Sequence, residues 1–151
     1  ANREAVQAVL DHAHAQGAQR FAFLGDYVGY GADPGWVIDT VMRYVADGAV
    51  AVGGNHDAGV AEAISPNMRP EARQVLEWTR AQLNATQMGF LTSLPLSKTE
   101  ADMLFVHANA FAPSEWEYIQ GRIEAEVNEY WRAAISVVVE VSRIARIVKY
   151  V

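Results

Sequence analysis

The stretch FAFLGDYVGYGADP, residues 21–34, decides how this chain folds. It opens with the apolar run 21–24, which has the length of a strand buried on both faces, and continues into a glycine-rich loop that carries Asp26. A helical pattern follows, and a second apolar run at residues 49–52 predicts the next strand. The stretch therefore begins a right-handed βαβ unit, in which the two strands lie parallel.

Polar side chains stand where each predicted strand ends. Asp26 follows the first strand, Asn55 and His56 follow the second in the run GGNHD, and His107 follows a third apolar run at residues 103–106. Because both strands of a βαβ unit end at the same edge of the sheet, we expect these side chains to lie close together. Carboxylate, amide and imidazole groups in this mixture suit manganese, iron, zinc or nickel, so the pattern predicts a metal site.

The predicted ligands indicate a reaction class. The two oxygens of Asp26 could bridge two cations, with Asn55 and His107 as further ligands, and a bridging water would become a hydroxide nucleophile near neutral pH. Phosphoryl transfer is the obvious use of such a site. His56 could then protonate the leaving oxygen or stabilise the charge on the phosphoryl group, and Asp57 could orient its imidazole.

Composition narrows the possible partners. The 151 residues carry a net charge of −6, which disfavours binding to nucleic acid or to an anionic membrane surface. A small phosphorylated substrate would then need a local positive centre, which a metal ion provides. The chain has no cysteine, which excludes disulfides, thiolate-bound zinc and a cysteine nucleophile. No apolar stretch is long enough to span a bilayer, and a cytoplasmic location is expected.

The remaining segments are predicted to be mainly helical. Asn2 is predicted to cap a first helix that ends near Gly17, and two further helices are predicted over residues 70–83 and 86–91. In the helix over residues 70–83, Val75, Leu76 and Thr79 are expected to form an apolar stripe. An amphipathic helix is also predicted over residues 127–151, although the many β-branched residues there leave a strand as the alternative.

Three motifs together resemble one protein family. In order and spacing, GDYVGYGADP, GNHD and FVHANAFAPSEWEYI are similar to the calcineurin-like metallophosphoesterases, in particular the small bacterial phosphodiesterase-like branch, over about residues 1–124. The resemblance implies an α/β fold of the αββα sandwich type, with a dinuclear centre that hydrolyses phosphomonoesters or phosphodiesters. It also implies that Asp26 bridges the metals, Asn55 and His107 bind the second metal, and His56 is the catalytic histidine.

Two family motifs have no counterpart in this sequence. The family begins with a strand that ends in Asp-x-His and closes with Gly-His-x-His, and neither motif occurs here. The resemblance therefore implies an incomplete sandwich, lacking the first strand and the last motif, with one ion or fewer bound tightly in place of two. We expect a truncated chain with a metallophosphoesterase-like domain over residues 1–124, and a divergent, helical segment over residues 125–151 packed on it.

Other interpretations stay open at this point. Asp26 could be a turn former, and His107 could be a strand-end histidine bonded to a carbonyl group. The four tryptophans are expected to serve packing rather than to stack on a ligand. For the chain as a whole, the alternatives to an active phosphoesterase are an impaired remnant that binds metal or a phosphate ligand, and a chain whose unpaired strand edge favours self-association.

Overall fold

The computed structural model describes residues 1–62 and 68–117. These ranges form a mixed helix-and-sheet architecture that ends in a single 3₁₀ turn at Pro113–Glu115. The elements are α1 (Arg3–Ala15), β1 (Ala22–Phe23), α2 (Pro34–Ala46), β2 (Val50–Ala51), α3 (Asn55–Ala61), α4 (Pro70–Ala81), α5 (Ala85–Ser93), β3 (Ser97–Glu100) and β4 (Met103–Val106). The predicted helix over residues 127–151, and with it the packing of the divergent segment, lies outside the described residues.

The predicted βαβ unit is present. Strands β1 and β2 are parallel, with Ala22 opposite Val50 and Phe23 opposite Ala51. The amide of Val52 continues the ladder by donating to the carbonyl of Phe23 at 3.0 Å. Each strand has two residues in regular pairing, fewer than the four-residue runs predicted. The prediction of parallel pairing is confirmed, and both strands end at the same edge.

The β1–β2 layer is covered on both faces, as its continuous apolar sequence predicts. Phe23 and Ala51 face the main core, which the helices also build. Their neighbours in the chain point the other way, since successive strand side chains alternate between faces. On that second face Ala22 and Val50 pack with Phe105 of β4, whose partner in an antiparallel hairpin is β3. The hairpin therefore lies against the face of the sheet opposite the main core.

Local sequence signals account for the helices around this layer. The Asn2 side chain caps α1 by accepting the amide of Ala5 at 2.8 Å, as predicted. Pro34 and Pro70 occupy the first positions of α2 and α4, where a missing N–H costs nothing. The apolar faces of α1 and α2 are buried, through Val6, Leu10 and Ala13 in α1 and Val37, Ile38 and Val41 in α2.

Three features differ from the expectations. Helix α3, which begins at Asn55, was not predicted, and neither was β3. In α4, Leu76 and Thr79 are buried whereas Val75, which was expected to share their apolar stripe, is 46% exposed. Adjacent helical residues point about 100° apart, so burial of Leu76 turns Val75 toward the surface. Across the described ranges, no helix combines the length and hydropathy needed to cross a membrane.

Candidate metal centre

The structure brings Asp26, Asn55 and His107 together at the carboxyl ends of the strands. His107 Nε2 lies 3.2 Å from Asn55 Oδ1 and 3.5 Å from Asp26 Oδ2. The side chains of Asp26 and His107 are 16% and 11% exposed, so the cluster is largely shielded from water. Electrostatic interactions there are consequently stronger than at an open surface.

The second nitrogen of His107 determines what Nε2 can offer. His107 Nδ1 lies 2.6 Å from the carbonyl oxygen of Leu24. Because a carbonyl oxygen only accepts hydrogen bonds, Nδ1 carries a proton, and Nε2 is the ring nitrogen that faces the cluster. A bond from the other ring nitrogen to a carbonyl group is the usual way in which proteins orient a metal-binding histidine. The strand-end interpretation of His107 and the ligand interpretation are thus compatible.

The loop that carries Asp26 has an unusual backbone. Asp26 adopts φ +60°, in the left-handed region that residues other than glycine rarely occupy. Such a conformation persists only where the surrounding structure holds it in place. Two groups next to the site, the Asp57 carboxylate and the Tyr27 hydroxyl, do so.

The Asp57 carboxylate binds both loops through their backbone amides. It accepts hydrogen bonds from Asp26 N at 2.7 Å, Tyr27 N at 2.9 Å, Val28 N at 3.3 Å and Gly54 N at 2.9 Å. The side chain is 1% exposed, and burial is the main reason that its pKa rises from the ordinary 3.8 to about 6, against the opposing effect of the amide hydrogen bonds. Asp57 therefore joins the start of α3 to the Asp26 loop.

The Tyr27 hydroxyl joins the ends of the two strands. It lies 2.7 Å from the carbonyl of Val52 and 2.9 Å from that of Phe23, and it accepts the amide of Gly25 at 3.3 Å. Burial raises the pKa of this phenol well above its usual value, so it remains a protonated donor. Tyr27 was not among the residues predicted from the sequence to serve the site. Its position two residues after a strand-end glycine is the only signal that could have indicated such a role.

Close approach of the two loops depends on Gly54. A Cβ atom at this position would lie 2.3 Å from Asp26 Oδ1 and 2.6 Å from Asp26 N. Only glycine leaves room for the carboxylate there. The first residues of α3 follow directly, so this contact also determines where Asn55 stands.

His56 lies at the edge of the cluster. Its backbone N–H donates to Asp26 Oδ1 at 3.2 Å, and its ring packs against the ring of Tyr30 with a centroid distance of 4.3 Å. The suggestion that Asp57 orients this imidazole is wrong. Both Asp57 oxygens accept backbone amides, and Tyr30 is the aromatic neighbour of the ring.

The donor set fits one divalent cation. Asp26, Asn55 and His107 offer a carboxylate oxygen, an amide oxygen and an imidazole nitrogen, a set that manganese, iron or zinc accepts. Within residues 1–62 and 68–117, no group of three or more histidine, cysteine, aspartate or glutamate side chains could hold a metal ion. In the described part of the chain, Asp26, Asn55 and His107 are therefore the proposed donors that converge, with no separate acidic or histidine cluster that could hold a metal ion.

Comparison with known proteins extends these observations. The family model described as calcineurin-like phosphoesterase matches residues 1–135. Protein MJ0912 of Methanocaldococcus jannaschii is 35% identical over 124 residues, which make up 78% of this chain and 49% of MJ0912. The crystal structure of a metallophosphoesterase from Sphaerobacter thermophilus matches with a TM-score of 0.67 and 30% identity, covering 83% of this chain and 51% of that one. The fold-class prediction is thereby confirmed, and the chain spans about half the length of both relatives.

Proposed function

This chain belongs to the calcineurin-like phosphoesterase family, and we propose that it is a metal-dependent phosphoesterase acting on small phosphomonoesters or phosphodiesters. Asp26, Asn55 and His107 are the proposed metal ligands, and His56 is the proposed catalytic residue. Manganese, iron, zinc and nickel all suit this donor set. Family membership supports the reaction class, and the geometry of the three side chains supports the metal.

One observation carries the proposal. His107 Nε2 faces Asn55 Oδ1 at 3.2 Å and Asp26 Oδ2 at 3.5 Å, while Nδ1 donates its proton to the Leu24 carbonyl. Three electron-pair donors repel one another in a shielded site unless a proton or a cation lies between them. A divalent cation would be coordinated by all three donors at once, so their convergence supports a metal site.

The residues around such an ion have separate tasks. When bound, a divalent ion would polarise a phosphoryl oxygen and lower the pKa of an attacking water. His107 and Asn55 hold their donor atoms in place, while Asp26 supplies the negative charge that a cation requires. The backbone N–H of His56 donates to Asp26 Oδ1, so this residue lies beside the donor set, and its imidazole is the proposed proton donor to the leaving oxygen.

A second function has a specific observation in its favour. In the described part of the chain three proposed donors converge, and no group of three or more histidine, cysteine, aspartate or glutamate side chains could hold a metal ion, whereas the family resemblance implies two ions. A site of this kind could bind a metal or a phosphate ligand without turnover, as a binding module. Which of the two functions applies depends on the activity of the chain.

Self-association is a separate proposal about partners. Within the described ranges, β1 pairs only with β2, so the other edge of β1 has no strand beside it. An open edge presents backbone donors and acceptors to another chain. A mass measurement by light scattering across a concentration series would detect dimers, and a constant monomer mass would remove this proposal.

The test of function combines turnover with binding. In manganese-supplemented assays with p-nitrophenyl phosphate and bis-p-nitrophenyl phosphate, the chain should hydrolyse at least one substrate, and Asp26→Ala should abolish that activity. Asp102→Ala, which removes an exposed carboxylate in the β3–β4 turn, is the matched control and should retain it. Equal activity of Asp26→Ala and the control would remove Asp26 from the mechanism.

Calorimetric titration with manganese separates the two functions. One ion bound per chain with turnover supports the phosphoesterase, and one ion bound without turnover supports the binding module. No manganese binding by the chain, or binding that survives Asp26→Ala, would contradict the phosphoesterase and a module that binds metal at this site.

A further inference from the structure

Both imidazoles of the candidate centre have an aromatic neighbour, but the two neighbours differ in exposure. The Tyr30 ring lies 4.3 Å from the His56 ring at an interplanar angle of 47°, and the Trp116 ring lies 6.0 Å from the His107 ring, edge to face. Tyr30 is 58% exposed, the most exposed of the large apolar residues in the described ranges. Trp116 is only partly exposed.

Trp116 has the position of a supporting residue. Its loop is held by the Asn109 side chain, which is 1% exposed, donates to the carbonyl of Glu117 at 2.7 Å and accepts the amide of Ala112 at 2.7 Å. These two hydrogen bonds hold the loop so that the indole lies against the proposed ligand His107. The Trp116 ring therefore packs against the His107 imidazole and offers less free surface to a substrate than Tyr30 does.

Tyr30 has a different environment. It follows Gly29, where a Cβ atom would lie 2.2 Å from His56 Nδ1, so the imidazole packs directly on the glycine backbone. The Tyr30 ring then covers one side of the imidazole and leaves most of its own surface in solvent. An exposed aromatic ring beside a reactive group is available to a ligand that reaches that group.

We propose that Tyr30 is a specificity-determining residue that stacks on a planar aromatic ring in the leaving alcohol of the substrate. This inference rests on the proposed function. In the reaction, water adds to phosphorus, the bond from phosphorus to the alcohol oxygen breaks, and a proton from His56 passes to that oxygen. The leaving alcohol must therefore lie beside His56, and the free aromatic surface beside His56 is Tyr30. The favoured substrates are nucleotide or aryl phosphoesters rather than esters of small aliphatic alcohols.

A matched pair of substrates isolates the ring. Adenosine 5′-monophosphate and ribose 5-phosphate share the same primary alcohol as leaving group and differ by the adenine base. Stacking of one base on an aromatic side chain changes affinity by about tenfold or more. We expect kcat/KM for adenosine 5′-monophosphate to exceed that for ribose 5-phosphate by about this factor, and Tyr30→Ala to lower the ratio by about tenfold.

Two variants serve as controls. Tyr30→Phe keeps the stacking surface and should retain the wild-type ratio. Trp78→Ala removes another exposed aromatic ring, 43% exposed on α4 and without a ring contact to His56 or His107 in the described ranges, and should also retain it. If Tyr30→Ala lowers kcat equally for both substrates, Tyr30 only supports His56 and the inference is wrong.

Binding provides the same comparison without turnover. In calorimetric titrations with manganese present, the wild-type chain should bind adenosine 5′-monophosphate about tenfold more tightly than ribose 5-phosphate, and Tyr30→Ala should remove the difference. Equal affinity of the wild type for the two ligands, or binding of neither, overturns the inference. Failure of the proposed function has a different signature, because the wild type would then show no manganese binding and no hydrolysis of any substrate, or both would survive Asp26→Ala, whatever Tyr30 does.

Discussion

The buried carboxylate of Asp57 accepts the backbone N–H of Asp26 at 2.7 Å, and this bond links the start of α3 to the loop that carries Asp26, a proposed metal ligand. The same carboxylate accepts three further backbone amides from the two loops. The GNHD run thus contributes a proposed ligand, a proposed catalytic imidazole and the group that holds the opposite loop. The carboxylate of its last residue, Asp57, bonds to the backbone amides of the two loops and not to the side chain of His56.

Replacement of Asp57 by asparagine should destabilise the fold. The carboxamide is nearly the same size, but its NH₂ group would face backbone amides that need an acceptor. A buried donor left without a partner costs about 1–3 kcal/mol, so we expect a loss of this order in the free energy of unfolding, measured with urea. Asp102→Asn, in an exposed turn, is the control and should change stability by less than about 0.5 kcal/mol. A wild-type unfolding curve for Asp57→Asn would show that these hydrogen bonds contribute little.

The raised pKa of Asp57 predicts how stability depends on pH in the metal-free protein. The native state binds the Asp57 proton up to about pH 6, whereas the unfolded state releases it near 3.8. Between these values the native state holds more protons than the unfolded state. The contribution of Asp57 to the free energy of unfolding is therefore fully present below pH 3.8 and is lost as the pH rises toward 6. The loss amounts to about 3 kcal/mol at most. Urea titrations at several pH values, with chelator present, should show this fall in the wild type and a smaller one in Asp57→Asn. Parallel profiles for the two proteins would contradict the assignment.

The close approach at Gly54 predicts a local effect on metal binding. In Gly54→Ala the new methyl group would lie 2.3 Å from Asp26 Oδ1, so the carboxylate or the start of α3 must move. Changes of this kind next to a ligand lower metal affinity by about 10- to 100-fold, which titration with manganese would measure.

Gly89 offers the matched control for this substitution. It lies in α5 with nothing within 4 Å of its Cβ position, and alanine there should raise stability by roughly 0.5–1 kcal/mol and leave manganese affinity unchanged. Equal manganese affinities for the two variants would mean that the Gly54 contact does not shape the site.

His56 and His107 should respond differently to substitution by alanine. His107→Ala removes a proposed ligand and should reduce both manganese affinity and turnover. His56→Ala removes the proposed proton donor and should lower kcat by about 10²- to 10⁴-fold while manganese affinity stays within a few fold of the wild type. Affinity and turnover are measured on the same preparations by calorimetry and by hydrolysis of p-nitrophenyl phosphate. A large loss of affinity in His56→Ala would make that residue a ligand.

The sequence predicted the fold class and the place of the site because both depend on short-range patterns. Apolar runs, glycine at strand ends and the proline at the start of α2 mark the βαβ unit, and chirality and strand order bring Asp26 near Asn55. The position of His107 was harder to predict. It follows β4, which pairs with β3 in a second sheet, and it reaches the cluster because Phe105 packs on Ala22 and Val50.

Other features could not be read from local patterns. Whether Val75 or Leu76 of α4 is buried depends on how the helix is rotated against its neighbours, and apolar character alone does not decide this. The roles of Tyr27 and Asp57 depend on which backbone groups come within hydrogen-bond reach, and those groups belong to strands and loops about 30 positions away in the chain.

The sequence alone determined which side chains stand at strand ends, and with them the chemical character of the candidate site. That followed because the strand period and the βαβ connection are local properties of the chain. Only the tertiary structure decided the rest: the His107 tautomer, the left-handed conformation of Asp26, the amide bonds of Asp57 and the exposure of Tyr30 beside His56. These depend on distances between segments that are far apart in sequence, and such distances are set by packing.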